Sequence, residues 1–303
     1  MKSLKMRPIH KNREFLELKY HGRASERDTL RWYHVLASWV FGLPFLKSHG
    51  LRNAANLQLN QFELPLENLP TEFDGCRILF ITDMHVDGIA GLAGNIIHIA
   101  NSVEYDYCIL GGDYSYGFVA SDERMRQQVN EVMKSLVQKT RVFGILGNHD
   151  EYRTAELLDG LGVEMLLNES VCIERKREKI YLTGVDDCAF FKAAELEQAG
   201  ADVPNNAFKI ILSHSPDLYK QAAQAGYSLY LSGHTHGGQI CLPGGITIAS
   251  NAHVPRSLIK GRWEYNGMMG YTSYGAGASI VPVRFFCRPE IVLLILTKGA
   301  SAD

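Results

Sequence analysis

Five times along this 303-residue chain a short apolar run stops at a side chain able to hold a metal ion. Asp83 and His85 end ILFITDMH, Asp113 ends ILGGD, Asn148 and His149 close ILGNH, His214 follows IILS, and His234 and His236 stand in SGHTHGG. Runs without polar alternation mark strands buried on both faces, as in the parallel sheets of layered α/β proteins. In such sheets ligands bind beyond the carboxyl ends of the strands. The pattern therefore constrains the chain to an α/β layered domain whose ligand-type residues gather at one edge.

The runs at 77–82, 107–110, 142–146, 180–183, 208–212 and 228–231 read as such strands. Between them, 122–139 carries Met125, Val129, Val132, Met133 and Leu136 at helical spacing. Residues 216–225 read as a helix that opens after Ser215 and stops at Gly226. Beyond Gly237 the expected strands are 245–249, 268–273 and 291–297.

The N-terminus reads differently. Lys2, Lys5, Arg7, Lys11, Arg13, Lys19, Arg23 and Arg27 face only Glu14, Glu17, Glu26 and Asp28. This basic arm leads into the uncharged run WYHVLASWVFGLPFL at 32–46. That run is shorter than the ~20 residues of a membrane-spanning helix. Two readings stand side by side: a helix in the membrane interface, with Trp32, Tyr33 and Trp39 at the headgroups and the arm on anionic lipid, or a helix packed on the protein's own surface. The expected division is 1–50 as arm and membrane-associating segment and 51–303 as catalytic domain. Every candidate ligand lies after residue 82, so the arm is expected to be dispensable for the chemistry.

A net charge of −2 offers no basic surface for nucleic acid. The six cysteines are scattered without a CxxC pair and suit reduced core positions in a reducing compartment.

Alternation of strand side chains lets residues two apart, such as Asp83 and His85 or His234 and His236, aim at one point. Singly, each motif also reads as turn chemistry, since Gly, Asp and Asn are turn residues. Together, carboxylates, an amide and imidazoles at successive strand ends are what a two-metal hydrolytic site needs. Two divalent ions bring about +4, while two carboxylates and a bridging hydroxide remove about 3, which leaves charge to attract a phosphate. Oxygen and imidazole donors without thiolate suit manganese, named first, or iron, zinc or cobalt.

Asp186 and Asp187 read as ordinary turn acids. Arg256, Lys260, Arg262 and Arg284 read as solvated surface, and His98 as a packed histidine.

TDMH, GGD, GNHD, SHSP and GHTHGG resemble, in order and spacing, the motifs of the calcineurin-like metallophosphoesterases. The lead-in LPTEFDGCRILFITDMH and the tail GAGASIVPVRFFCRPEIVLLIL further resemble a bacterial phosphodiesterase branch whose members often carry a membrane anchor or export signal. The resemblance implies a four-layer αββα double sandwich with a binuclear site. It implies one metal on Asp83, His85 and His236, the other on Asn148, His214 and His234, and Asp113 bridging both. His149 would serve the leaving group, with Asp150 orienting its ring. The implied reaction is hydrolysis of a phosphodiester or pyrophosphate by a metal-bridging hydroxide. The expected substrate is lipid-linked, such as UDP-2,3-diacylglucosamine of lipid A synthesis, on the cytoplasmic face of the cell membrane. The alternatives are a general phosphodiesterase or nuclease and a non-catalytic metal-binding scaffold on the same fold.

Overall fold

The computed structural model describes residues 13, 15–17, 44–115, 123–279 and 281–299. In chain order come α1 (Pro44–Ala55), β1 (Gln58–Leu66), β2 (Arg77–Ile81), α2 (Leu92–Ser102), β3 (Tyr107–Leu110), α3 (Glu123–Val137) and β4 (Arg141–Gly144). There follow α4 (Tyr152–Gly160), β5 (Glu164–Met165), β6 (Glu169–Arg175), β7 (Glu178–Gly184), α5 (Leu196–Ala199) and β8 (Phe208–Leu212). The rest comprises α6 (Tyr219–Gln224), β9 (Leu229–Ser232), the hairpin β10 (Cys241–Leu242) and β11 (Ile246–Thr247), then β12 (Gly261–Tyr265), β13 (Met268–Thr272) and β14 (Glu290–Lys298).

Two six-stranded sheets result, ordered β1-β14-β2-β3-β4-β5 and β12-β13-β9-β8-β7-β6. Strands β2 to β5 are mutually parallel, as are β7, β8, β9 and β13. The apolar runs bury both faces, as the absence of alternation requires. Ile78 and Phe80 of β2 meet Leu182, Ile210 and Leu231 of the other sheet in the layer between them. Leu79 and Ile81 point the other way, onto α2 and α3 through Ile96, Val129 and Met133. On the far side of the second sheet, Ile211 packs with Tyr219 and Ala222 of α6. The architecture is the expected four-layer αββα.

The strands that the apolar-run reading passed over are edges. β1, β6 and β12 sit at sheet margins, where one neighbour is missing and polar residues are tolerated, so QLNQFELPL carries no continuous apolar run. Two expected elements are shorter or differently wound. Only Ile246–Thr247 of the expected 245–249 strand pairs, and the 216–225 helix opens as the 3-10 turn Pro216–Leu218 before α6.

Of the apolar run at 32–46, residues 32–43 lie outside the described residues; the remainder begins α1. That helix crosses position 50 and packs on the domain. A Cβ on Gly50 would stand 2.6 Å from Val283 and 2.7 Å from Phe285, and Asn53 Nδ2 donates to the Arg284 carbonyl at 3.0 Å. Among the described residues no helix is long and apolar enough to cross a membrane.

Candidate metal centre

The seven candidate ligands, delivered from both sheets, converge on one buried volume. Asp83 and His85 follow β2, Asp113 follows β3, Asn148 follows β4, His214 follows β8, and His234 and His236 follow β9. Donor atoms of Asp83, His85 and His236 lie within 4.8 Å of one another, and so do those of Asp83, Asp113 and His214. Asn148 joins the second group: its Oδ1 is 3.0 Å from His214 Nε2 and 2.7 Å from His234 Nδ1. Asp113 Oδ2 lies 3.2 Å from His214 Nε2 and 3.7 Å from His85 Nε2, so one carboxylate oxygen reaches both groups.

Backbone strain marks the same place. Asp83, His85, Asp113, His234 and His236 all have positive φ, at 50°, 37°, 57°, 68° and 49°. Non-glycine residues enter that region at a cost of order 1–3 kcal/mol each, and such outliers cluster where function demands a geometry. Glycines let the loops close together. A Cβ at Gly147 would stand 2.1 Å from Asp113 Oδ1, and one at Gly233 would stand 2.2 Å from Asp83 Oδ2.

The donor chemistry fits metal ions. His85 Nδ1 faces the Ser115 carbonyl and His214 Nδ1 the Gly111 carbonyl. A carbonyl can only accept, so each Nδ1 carries hydrogen and each Nε2 is turned to the centre, the usual support of a ligating histidine. Burial, aided by neighbouring imidazoles, pushes His85 down to about 4 and His236 well below the ordinary histidine range. Both imidazoles are neutral at neutral pH. His214 differs: burial pulls it down, but the Asp113 and Asp83 carboxylates outweigh burial and lift it to about 10. Burial likewise pushes Asp113 up, and His214, His149 and His85 overcome it and hold the carboxyl well below its usual range.

His149 and Asp150 sit beside this cluster. The His149 ring meets His85 edge-on at 5.3 Å, and its amide donates to Asp113 Oδ1 at 2.9 Å. Asp150 works on the backbone: its carboxylate accepts from the amides of Asp113 (2.6 Å), Gly147 (2.8 Å) and Tyr114 (2.9 Å). It thereby ties the loop after β3 to the loop after β4. Burial and the Asp113 charge raise Asp150 to about 6.

Several expectations give way. Arg284 is fully buried rather than solvated; it donates to the carbonyls of Tyr274, Gly275 and Gly277 and approaches His236 Nδ1 at 3.3 Å. His98 is exposed on α2, on the side away from the sheet, not packed. Asp187 is the turn acid expected, accepting from the amides of Phe190 and Phe191. Asp186 is not, for its carboxylate pairs with Arg13 of the N-terminal arm. Arg13 and Glu17 are the residues that sequence reasoning missed, because a basic run of mixed charges reads as solvated.

Comparison with known proteins agrees with this geometry. The profile of the family described as calcineurin-like phosphoesterase matches residues 76–238, and the chain belongs to that family of metal-dependent phosphoester hydrolases. It is 27% identical over 233 residues to Phosphodiesterase YaeI of Escherichia coli (strain K12), covering 73% of this chain and 82% of that one. To the uncharacterized metallophosphoesterase YkoQ of Bacillus subtilis (strain 168) it is 26% identical, covering 84% and 96%. To a transmembrane protein with metallophosphoesterase domain of Danio rerio it is 28% identical over 84% of this chain, spanning only 61% of that relative's length.

Proposed function

We propose that the protein is a binuclear metal-dependent phosphoesterase that hydrolyses a phosphodiester or pyrophosphate bond. Asp83, His85 and His236 would hold one ion, Asn148, His214 and His234 the other, and Asp113 would reach both. The observation that carries this reading is the buried convergence of two carboxylates, four imidazoles and one amide at the strand ends of two sheets. Two divalent ions, manganese first, supply when bound the Lewis acidity and the acidified water that phosphoryl hydrolysis needs.

The protein's own residues do the rest. Carbonyls behind His85 and His214 hold the rings in the ligating tautomer. His149, half-buried beside His85, gives its proton to the departing oxygen. Asp150 sets His149 through the backbone, by fixing the amide of Gly147 at the head of its loop.

The substrate in this reading is a lipid-linked pyrophosphate such as UDP-2,3-diacylglucosamine, met by an enzyme peripheral on the inner face of the membrane. Residues 1–50 serve as arm and membrane-associating segment, and 51–303 as catalytic domain. Supporting it are the basic arm, the apolar run at 32–46 and a group of exposed apolar side chains: Leu242, Ile246 and Ile248 of the hairpin region, and Phe286. A general phosphodiesterase is the second reading, favoured by the likeness to the E. coli relative named for that activity.

The test is turnover by manganese-loaded protein of the diacylated UDP-sugar, an unacylated UDP-sugar and bis(p-nitrophenyl) phosphate. Preference for the lipid supports the first reading. Cleavage of the simple diester alone selects the second, and turnover of none sinks both.

A further inference from the structure

Two arginines of the described residues are fully buried, and one of them, Arg13, comes from the N-terminal arm. It reaches the loop at 147–152, which carries Asn148 and His149, from behind. Arg13 Nη2 donates to the carbonyls of Asp150 at 2.6 Å and Gly147 at 3.3 Å. Nη1 pairs with the Asp186 carboxylate, and Nε donates to Glu17 Oε1 at 2.9 Å. The guanidinium plane lies 3.7 Å over the Phe191 ring. Glu17 Oε1 also accepts the amide of Tyr152, the first residue of α4, at 2.7 Å.

Arginine and glutamate stand four apart in helical backbone, so one turn of the arm presents both. Arg13 takes the carbonyls at 147 and 150, and Glu17 takes the amide at 152. On its other side the same loop presents Asn148 Oδ1 to His214 and His234, and the His149 amide to Asp113. A guanidinium fork with donors in fixed directions can bind two carbonyls and two carboxylates at once; a lysine ammonium, a single point on a flexible stem, cannot reproduce that spread.

We infer that Arg13 and Glu17 are positioning residues, which clamp the 147–152 loop and so set the metal ligand Asn148 and the leaving-group residue His149; the inference rests on the phosphoesterase reading. The arm is then part of the catalytic domain's working structure, against the expectation that it is dispensable for the chemistry.

The experiment uses the full chain with Arg13→Lys, Arg13→Ala and Glu17→Gln, each checked for folding by circular dichroism. Manganese binding is followed by titration, and kcat and KM are measured on aryl phosphodiesters with good and poor leaving groups. Loss of support behind a ligand or proton donor costs roughly 10–100-fold. The expected result for Arg13→Lys is a fall of that size in kcat, larger with the poor leaving group, little change in KM, and weaker binding of one of two manganese ions. Should Arg13→Ala fail to fold, Arg13→Lys and Glu17→Gln, which keep the side-chain volume nearly intact, carry the test. In a folded Arg13→Ala, added guanidinium ion is expected to restore part of kcat. Folded Arg13→Lys and Glu17→Gln variants with wild-type manganese binding and wild-type kcat on both esters would overturn the inference, as would an equal loss on both esters with unchanged metal binding. Wild-type protein that hydrolyses no ester, while Arg13→Lys still weakens manganese binding, would remove the phosphoesterase reading and leave the clamp standing.

Discussion

The two halves of the proposed metal centre are built from like residues yet prepared differently. In the half of Asp83, His85 and His236, burial drives both imidazoles below the ordinary range, so both are neutral at neutral pH. In the half of Asn148, His214 and His234, the carboxylates around His214 lift it to about 10 despite its burial. That half keeps a proton that a metal ion must displace. The difference teaches that a shared carboxylate has two effects. Asp113 reaches both halves, but its oxygen lies 3.2 Å from His214 and 3.7 Å from His85, and the nearer histidine is the one held charged.

The strongest way to break this comparison is Asp113→Ala. Losing the carboxylate whose oxygen lies between His214 and His85 is expected to bring turnover to background and metal content from two ions to one or none. His236→Ala, which touches one half, is expected to leave one ion bound. Metal analysis of the purified variants checks both, and two tightly held ions in Asp113→Ala would mean that the halves do not share it.

Next in size is His149, which belongs to neither half. His149→Ala is expected to retain both ions yet slow turnover by roughly 10²–10⁴, the range of a lost general acid, with the loss shrinking as the leaving group becomes more acidic. Equal losses across a series of aryl diesters would assign His149 to substrate positioning instead.

The halves should also separate by pH. His214 must lose its proton to ligate, so the apparent affinity of its half is expected to rise about tenfold per unit as pH climbs toward about 10. The His85 half, with its imidazole already neutral above about 4, should show no such slope at neutral pH from that residue. In the metal-free protein the same pair has the opposite sign. A raised histidine stabilises the fold fully below the ordinary value of 6.5, and the contribution fades as pH rises through about 10. Calorimetric titration in buffers of differing ionisation enthalpy reads the released proton; two pH-independent binding steps would erase the distinction.

Most of this candidate centre was legible in the sequence because each candidate ligand sits at the end of a strand buried on both faces, and such strands write themselves as apolar runs. Edge strands such as β1 wrote no such run, and their alternating residues passed unread. What periodicity cannot carry is contact across long separations. Arg13 meets Asp186 across 173 positions, and Arg284 turns inward because the carbonyls at 274, 275 and 277 converge on it. Both are charged residues in stretches that look solvated, and only the folded backbone reveals the acceptors that make their burial tolerable. The positive φ at five of the candidate ligands was equally invisible, since Asp and His suit metal binding and left-handed backbone alike.

The smallest effect concerns what each half leans on from outside. The His214 half is backed by the arm through Arg13, whereas the loop of His236 is buttressed by the hairpin of β10 and β11. Thr247 Oγ1 donates to the Gly237 carbonyl at 3.1 Å, and Cys241 Sγ donates to the same oxygen at 3.4 Å. That hairpin shows solvent an apolar face, with Leu242 and Ile246 paired in register and both half or more exposed. Phe286, next to it in the chain segment bonded to Cys241, is 59% exposed. If the membrane reading holds, these side chains enter the headgroup boundary, and removing one should forfeit about 1–2 kcal/mol, on the order of tenfold in partitioning. Ile246→Ser and Phe286→Ser are therefore expected to weaken sedimentation with anionic vesicles by about that factor each, while hydrolysis of a soluble diester stays near wild type, because neither side chain is a metal ligand. Unchanged vesicle binding in the double variant would detach the hairpin from any membrane and leave it only as the buttress of His236.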